Sequence, residues 1–276
     1  MPELPEVEVM RRSIRPHLLG RRVVAVSCGA KKLRQPIPDE DLRRELLGRL
    51  IVEVNRRAKY LQVQIDNGAM LVIHLGMTGN LSFSPAGAPL AKHDHLRLAL
   101  DNGTELRYSD SRRFGLIRML DPDTAAEAES RIFDDIGPEP FDRHCSARYF
   151  HQLAANRRVA VKVLLMDSRV VAGVGNIYAS ESLFRAAVLP QRPAGSLSQR
   201  EWTRLVACIR EVLGEAIDCG GSTIASFLNA DREKGYFQMN FHVYGREGQP
   251  CPKCGAAIKK IVLGGRSSFF CPTCQR

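Results

Sequence analysis

The stretch Leu61-Gln-Val-Gln-Ile-Asp-Asn-Gly-Ala-Met-Leu-Val-Ile-His74 decides the fold of the N-terminal half of the chain. Two runs of β-forming residues flank Asp66-Asn67-Gly68, a turn signal, so the stretch predicts a β-hairpin. Further strand-like runs lie on both sides of it, namely Val23–Val26, Leu50–Val54, Leu96–Leu100, Glu105–Ser109 and Leu116–Leu120. Many short strands at such spacing are typical of an antiparallel sandwich or barrel. We therefore predict an N-terminal antiparallel β-sandwich.

A helix precedes these strands. Its apolar residues recur at spacings of three and four, at Leu4, Val7, Met10, Ile14 and Leu18. Pro5 suits the first helical position, and Pro16 and Gly20 predict the end of the helix. The sandwich therefore has a leading helix.

Beyond the strands the pattern becomes helical. Residues 131–147, which include Gly137-Pro-Glu-Pro140, are the predicted linker. The clearest helix opens at Ser198, with Glu201 as the partner in a capping box, and Gly220-Gly221 ends it. The sequence thus predicts an α+β protein with a β-sandwich domain at 1–130, a helical domain at 148–240 and a C-terminal module at 241–276.

Composition limits the possible functions. The chain has 276 residues, 44% of them hydrophobic, which excludes a disordered basic tail. Its 40 Lys+Arg against 30 Asp+Glu give a net charge of +10, which favours a polyanion such as nucleic acid as partner. No apolar run approaches the roughly 18 residues of a membrane span, and no secretory signal is visible. We expect an intracellular, cytoplasmic protein without a membrane partner, and a monomer, because no coiled-coil seam is present.

The C-terminal module carries a metal-binding pattern. Cys251-Pro-Lys-Cys254 and Cys271-Pro-Thr-Cys274 are separated by sixteen residues, a spacing that places four thiolates around one Zn²⁺ ion. A redox dithiol is the alternative. Four protein ligands leave no open position for water, so the zinc is expected to be structural. Residues 251–276 contain basic residues and no acid, which suits a ribbon that faces phosphates.

The N-terminus reads Pro2-Glu3-Leu4-Pro5-Glu6-Val7-Glu8. The simplest interpretation is that acids complement the dipole at a helix start. A sharper hypothesis follows if Met1 is removed: Pro2 then offers a secondary amine with a pKa of about 8, against about 10.4 for lysine. Attack of this amine on an electrophilic sugar carbon gives an iminium, an electron sink for elimination. Glu3 stands beside the amine and could move protons on the sugar.

Several motifs accompany this start, namely Arg56-Arg-Ala-Lys-Tyr60, His74-Leu-Gly-Met-Thr-Gly79, Lys92-His-Asp-His95, Asp110-Ser-Arg-Arg-Phe-Gly115 and Gly173-Val-Gly-Asn-Ile-Tyr-Ala-Ser-Glu181. Together with the N-terminus and the cysteines they occur in order from residue 2 to 276. In this combination the chain resembles the formamidopyrimidine-DNA glycosylase family.

The resemblance implies a bacterial repair enzyme that acts on double-stranded DNA containing oxidised bases or abasic sites. Such an enzyme removes 8-oxoguanine and formamidopyrimidines and then cleaves the strand by β- and δ-elimination. By motif match, Pro2 is the nucleophile toward the sugar C1′ and Glu3 the general acid/base, with Glu6 in support. Lys59 is the proton donor in β-elimination, although alone it reads as a solvated turn residue. Arg266 is similar to the arginine of δ-elimination, with a phosphate clamp as the alternative.

The resemblance also implies how DNA is held. Met77, Arg112 and Phe114 match a wedge that fills the space left by the extruded base. Without the family, core packing is the better interpretation of Met77 and Phe114, and a solvated or phosphate-facing residue that of Arg112.

Three further residues sit where the family contacts the DNA backbone. His93 and Arg157 match positions that meet phosphates or the partner strand. Asn176 lies just before a helix that the sequence predicts over Ile177–Val188, where the family's helix–two-turn–helix element binds a phosphate. A simple helix cap is the alternative. Ser222–Tyr236 matches a mobile loop over the extruded base.

Two other functions remain open from the sequence. An endonuclease VIII-like glycosylase shares the proline and the zinc ribbon but prefers oxidised pyrimidines. A zinc-ribbon protein that binds DNA without catalysis would fit the charge and the cysteines equally well, but it needs no free amine at position 2.

Overall fold

The computed structural model describes residues 2–221 and 241–276, and these fall into two compact units. The first comprises residues 2–134 with 219–221, and the second 135–218 with 241–276. The proposed loop at Ser222–Tyr236 lies outside the described residues.

The first unit is an antiparallel β-sandwich with a leading helix, as predicted. Its helices are α1 (Leu4–Leu18), α2 (Asp39–Leu46) and α3 (Ala125–Phe133), and its strands are β1 (Val23–Cys28), β2 (Ile51–Arg57), β3 (Tyr60–Ile65), β4 (Met70–His74), β5 (Gly79–Pro85), β6 (Asp94–Leu100), β7 (Thr104–Asp110) and β8 (Leu116–Leu120). One sheet has the order β1-β6-β7-β5 and the other β2-β3-β4-β8.

The predicted hairpin is at the centre of the second sheet. Strands β3 and β4 pair from Tyr60↔His74 to Gln64↔Met70. Gly68 in the turn has a φ of +90°, which side chains other than that of glycine rarely allow. The strands' apolar side chains join those of α1 in one buried core. Burial of this shared surface therefore fixes α1 against the sandwich.

Three elements of the first unit escaped sequence prediction, namely β5, α2 and α3. Strand β5 contains Gly79, Asn80 and Pro85, which are poor strand formers, but among the described strands it lies at the edge of its sheet, beside β7. Helix α2 is short and polar.

Helix α1 continues past Pro16 to Leu18, because a proline in the last turn removes only one hydrogen bond near the helix end.

The second unit is helical and ends in a β-hairpin. Its elements are α4 (Ala147–Ala154), α5 (Val161–Met166), α6 (Asn176–Arg185), α7 (Gln199–Asp218), β9 (Lys259–Leu263) and β10 (Arg266–Phe270). The sequence also predicts helical structure over Tyr149–Leu165. The structure has two helices there, because α4 ends at Ala154 and α5 begins at Val161, and Asn156 between them has a φ of +63°.

Local signals place the other elements of this unit. The capping box before α7 is present, because the Ser198 N–H donates to Glu201 at 2.8 Å and the Glu201 N–H to the Ser198 hydroxyl at 3.3 Å. Gly264 and Gly265 join β9 to β10 and both have positive φ, as a tight hairpin turn requires. Within the described ranges, no helix combines the length and the apolar character needed to cross a membrane.

Candidate functional site

The start of α1 fixes the two candidate acids. Glu3 is the N-cap residue, and its backbone N–H donates to Glu6 Oε2 at 2.8 Å while its side chain accepts from the Glu6 N–H. Glu3 and Glu6 are only 2% and 1% exposed. The helix-start interpretation is therefore correct for both, and it also holds the Glu3 backbone rigidly beside Pro2, which is buried.

Ion pairs orient α1 along β2. Arg56 Nε lies 3.1 Å from Glu8 Oε2, and Arg15 Nε lies 2.8 Å from Glu53 Oε1. Because later residues of α1 meet earlier residues of β2, the helix runs antiparallel to the strand. Its N-terminus therefore points toward the end of β2, where the turn with Lys59 follows.

Glu8 is the electrostatic anchor of this arrangement. Partial burial raises the pKa of its carboxyl, but hydrogen bonds and charges of Arg11, Arg12 and Arg56 outweigh that effect and lower the pKa to about 2. The Arg56 guanidinium also donates to the Ala58 carbonyl at 3.0 Å. The carboxylate thus helps to tie α1 to the turn before β3.

The second sheet brings three loops together at one end of its strands. Its register aligns Arg57, Tyr60, His74 and Leu116 in one row across the four strands. Lys59 lies in the two-residue turn between the first two of these. The loop after His74 and the loop before Leu116 leave the sheet at this same end of the strands.

The first sheet adds two more segments at that end of the sandwich. Gly79, at the start of β5, pairs with Asp110, at the end of β7, and Asp94 begins β6 opposite Ser109. The short connections 75–78 and 111–115 cross from one sheet to the other here. We call this end of the first unit the loop end; it contains Pro2, Lys59, Met77, His93, Arg112 and Phe114.

The side chains expected to form a wedge are accessible. Phe114 is 44% exposed, so it does not belong to the core, and Met77 is half-buried. The Arg112 guanidinium lies over the Phe114 ring, 4.7 Å from its centre, a cation–π arrangement that pre-orders both side chains. His93 is also exposed.

His74 has a role in this end that sequence reasoning missed. Its Nδ1 accepts the Gly76 N–H at 3.0 Å and so shapes the loop that carries Met77. Burial, together with the charges of Arg34 and Lys59, lowers the pKa of its imidazole to about 4. The ring is therefore neutral at pH 7, as an acceptor must be. Its position in a short motif was the only signal available.

In the second unit, Asn176 is not a helix cap. Gly175 is the N-cap of α6, and the Asn176 side chain accepts from Lys162 Nζ at 2.6 Å. Lys162 is fully buried and also donates to the Ser267 carbonyl at 3.0 Å and the Ser268 hydroxyl at 2.7 Å. This lysine, to which sequence reasoning gave no role, joins the start of α6 to the ribbon.

The four predicted cysteines come together. Their sulfur atoms all lie within 4.8 Å of one another, with 3.9 Å between Cys251 and Cys274 and 3.5 Å between Cys254 and Cys271. Four thiolates at about 2.3 Å from a tetrahedral zinc would be about 3.8 Å apart, so the cluster fits the ion. Arg157 and Arg266 are exposed elsewhere in the same unit.

Family models match three successive parts of the chain. These are the formamidopyrimidine-DNA glycosylase N-terminal domain at residues 1–117, the formamidopyrimidine-DNA glycosylase H2TH domain at 136–228, and the zinc finger found in FPG and IleRS at 248–276. A Magnetococcus marinus protein named formamidopyrimidine-DNA glycosylase is 47% identical over 276 residues, which cover 100% of both chains. The chain belongs to the formamidopyrimidine-DNA glycosylase family.

Solved structures agree with this assignment to the formamidopyrimidine-DNA glycosylases. A mutant of Lactococcus lactis FPG in complex with DNA that contains Fapy-dG is 34% identical and has a TM-score of 0.90, with 100% of each chain covered. The wild-type Lactococcus lactis protein with DNA that contains an oxidised pyrimidine is 33% identical over 100% of both chains, with a TM-score of 0.90. The predicted fold is confirmed, and the cysteine cluster is the zinc-finger site of the family, which holds one structural zinc.

Proposed function

We propose that this chain is a DNA-repair glycosylase and abasic-site lyase that removes oxidised purines, such as 8-oxoguanine and formamidopyrimidines, from double-stranded DNA. The observation that carries the proposal is the start of α1, where Pro2 and the buried carboxyl of Glu3 stand at the loop end. Membership of a family named for formamidopyrimidine-DNA glycosylase supports it.

The first step of the proposed mechanism is base removal. After loss of Met1, the neutral Pro2 nitrogen attacks C1′ of the damaged nucleoside, and the bond from C1′ to the base breaks. The base leaves with the bonding electrons and takes up the proton that the proline nitrogen loses. Glu3 gives a proton to the ring oxygen as the sugar opens, which leaves a cationic iminium between protein and DNA. Glu6 holds the Glu3 backbone during this step.

Strand cleavage follows from the iminium. Loss of the C2′ proton to water converts the iminium into an enamine. The enamine electrons then form a double bond between C2′ and C3′ and expel the 3′ phosphate, with Lys59 as proton donor to the leaving group. A second elimination expels the 5′ phosphate, and we assign its assistance to Arg266. Hydrolysis of the iminium then frees Pro2.

The remaining candidate residues bind DNA in this proposal. Met77, Arg112 and Phe114 fill the space left when the damaged base leaves the stack, because C1′ is out of reach inside the duplex. His93 and Arg157 contact phosphates or the partner strand.

The same proposal covers the start of α6. There, Asn176 and the first backbone N–H groups bind a phosphate. We also propose that residues 1–130, 148–240 and 241–276 are the functional domains, with 131–147 as linker, and that the enzyme works on the bacterial nucleoid in the cytoplasm.

Borohydride trapping tests the nucleophile. The wild type on an 8-oxoguanine:cytosine duplex should give a covalent protein–DNA band, because reduction converts the iminium into a stable amine. Pro2→Gly should lose most of that band. Tight binding without any wild-type band would instead indicate a zinc protein that binds DNA without catalysis. N-terminal mass spectrometry of the same sample must find Met1 removed.

Substrate preference needs its own experiment, because the Lactococcus lactis protein has been seen with both a Fapy-dG and an oxidised-pyrimidine DNA. Single-turnover excision should be faster from 8-oxoguanine than from thymine-glycol duplexes. A strong preference for thymine glycol would favour the endonuclease VIII-like alternative.

A further inference from the structure

One buried carboxylate receives hydrogen bonds from both loops that carry the wedge residues. Asp110 is 0% exposed, and its Oδ1 accepts from the Thr78 hydroxyl and, at 3.1 Å, from the Arg112 N–H. Its Oδ2 accepts from the Gly115 N–H at 2.8 Å and from the Tyr108 hydroxyl at 3.3 Å. Four donors thus converge on a single side chain that the proposed chemistry does not use.

The Tyr108 hydroxyl and the Thr78 hydroxyl complete this network. Burial and the neighbouring Asp110 carboxylate raise the pKa of Tyr108, so its hydroxyl keeps the proton that it donates. Thr78 Oγ1, besides donating to Asp110, accepts the Arg112 N–H at 3.1 Å. Thr78 is in the loop with Met77, and Arg112 is in the loop with Phe114. The two loops are therefore joined directly as well as through the carboxylate.

The backbones of the two loops are closely packed against each other and against Tyr108. A Cβ on Gly76 would lie 2.4 Å from the Phe114 carbonyl carbon, and one on Gly115 would lie 1.7 Å from the Tyr108 hydroxyl. Arg34 adds a further hydrogen bond, from its guanidinium to the Phe114 carbonyl at 2.8 Å. The Asp110 carboxylate therefore lies at the centre of two closely packed, hydrogen-bonded loops.

The backbone of Asp110 extends the network to a third segment. Its N–H donates to the His93 carbonyl at 3.0 Å, and its carbonyl pairs with His95 Nε2 at 2.9 Å. The residue thus links the segment of the proposed phosphate contact His93 with both wedge loops.

We propose that Asp110 is a positioning residue, whose carboxylate holds Met77, Arg112 and Phe114 as one rigid unit so that they can replace an extruded base. The inference rests on the proposed function, in which these three side chains are the wedge. A carboxylate suits this task because it only accepts hydrogen bonds, and four donors face it. The wedge has to hold its position between stacked bases. If the two loops move, extrusion of the damaged base should therefore slow before the chemical steps do.

The test compares two substrates in single-turnover assays of the full-length, zinc-loaded protein. Base excision from an 8-oxoguanine:cytosine duplex requires extrusion of a stacked base, whereas strand cleavage at a preformed abasic site does not. Asp110→Asn turns one acceptor oxygen into an NH₂ donor that faces another donor. We expect it to slow 8-oxoguanine excision at least about 10-fold and abasic-site cleavage less than about 3-fold.

Thr78 provides a milder pair of variants that should fold normally. Thr78→Val removes the hydroxyl that bridges the loops and should show the same selective loss, while Thr78→Ser keeps the hydroxyl and should restore excision. Glu45→Gln is the matched control, since Glu45 is a buried carboxylate of the same unit that binds Arg44 and Asn67 away from the loop end. It should leave both rates unchanged.

The outcomes separate the two hypotheses. Equal rates for wild type and the Thr78→Val variant, or parallel losses on both substrates, would overturn the positioning role while the repair activity stands. A wild-type protein that excises no 8-oxoguanine would instead refute the proposed function.

Discussion

At the scale of single residues, the carboxyl of Glu3 has both a structural and a proposed chemical role. Its capping hydrogen bond needs only an acceptor oxygen, which glutamine also provides, whereas proton transfer to the sugar needs an acid. Glu3→Gln should therefore fold and bind an abasic-site analogue duplex as the wild type does, while 8-oxoguanine excision falls by about 100-fold or more. Anisotropy titration and single-turnover kinetics measure the two quantities.

The same variant separates this role from a purely structural one. If the capping bond were the whole function of Glu3, excision by Glu3→Gln would stay near the wild-type rate, and Glu3→Ala would lose stability and excision together. Thermal unfolding of both variants decides between these results.

Single residues differ in how well sequence predicts their position. The four zinc ligands follow from spacing within two short segments. Lys162 could not be foreseen in its role, because its acceptors Asn176 and Ser268 lie 14 and 106 positions away, on α6 and β10. Asp110 likewise receives the Thr78 hydroxyl from 32 positions away. Such contacts exist only once the fold has formed.

At the scale of elements, the connection between β4 and β5 depends on the protonation of His74. The pKa of this imidazole is about 4 in the folded protein, against an ordinary value of 6.5, because it is buried near Arg34 and Lys59. Below pH 6.5 the His74 imidazole takes up a proton in the unfolded chain but not in the folded chain. The contribution of neutral His74 to the stability of the fold is therefore complete above pH 6.5 and is lost as the pH falls toward 4.

We predict that His74→Asn reduces this pH dependence. The Asn oxygen can accept the Gly76 N–H in place of Nδ1, but it does not titrate. Between pH 7.5 and 5.0, the wild type should lose about 2 kcal/mol more unfolding free energy than the variant, as measured by urea titration. His144→Asn, a change at an exposed histidine, should follow the wild type. Equal losses in all three proteins would contradict the prediction.

Elements were predictable where a regular pattern and a local signal coincide. The β3–β4 hairpin has alternation and a turn, and α7 has an apolar stripe and a capping box. Strand β5 lacks both signals. It forms because pairing with β7 and burial of Leu81 outweigh the poor strand propensity of its residues. The break between α4 and α5 was hidden because both helices bury apolar residues at helical spacing.

At the scale of the whole molecule, the zinc ribbon shares a buried cluster with α6. Phe184 of α6 packs with Val243, Ile258, Cys251 and Cys271. Metal binding and folding of this part are therefore coupled.

Loss of the metal should consequently abolish DNA binding. We expect Cys254→Ser to lose zinc, measured by atomic absorption, and at least about 10-fold in duplex affinity, because each structural ligand contributes to folding. Cys219→Ser, a change at a cysteine outside the cluster, should keep both. A zinc-free protein that still binds DNA tightly would refute the structural role of the ribbon.

The net charge of +10 predicts that the affinity of the protein for DNA depends on salt concentration. If Arg157 contacts a phosphate, it displaces a condensed counterion from the DNA, and its removal makes the slope of log K against log salt shallower by about 0.9. Arg157→Ala should therefore weaken binding alike for damaged and undamaged duplexes, with that change of slope, in anisotropy titrations from about 50 to 200 mM salt. Arg131→Ala is the control, because Arg131 is exposed beside Glu127 on α3 and belongs to no proposed contact. Should the slope for Arg157→Ala equal that of the control, Arg157 does not neutralise a phosphate, and the basic charge of this segment only supports solubility.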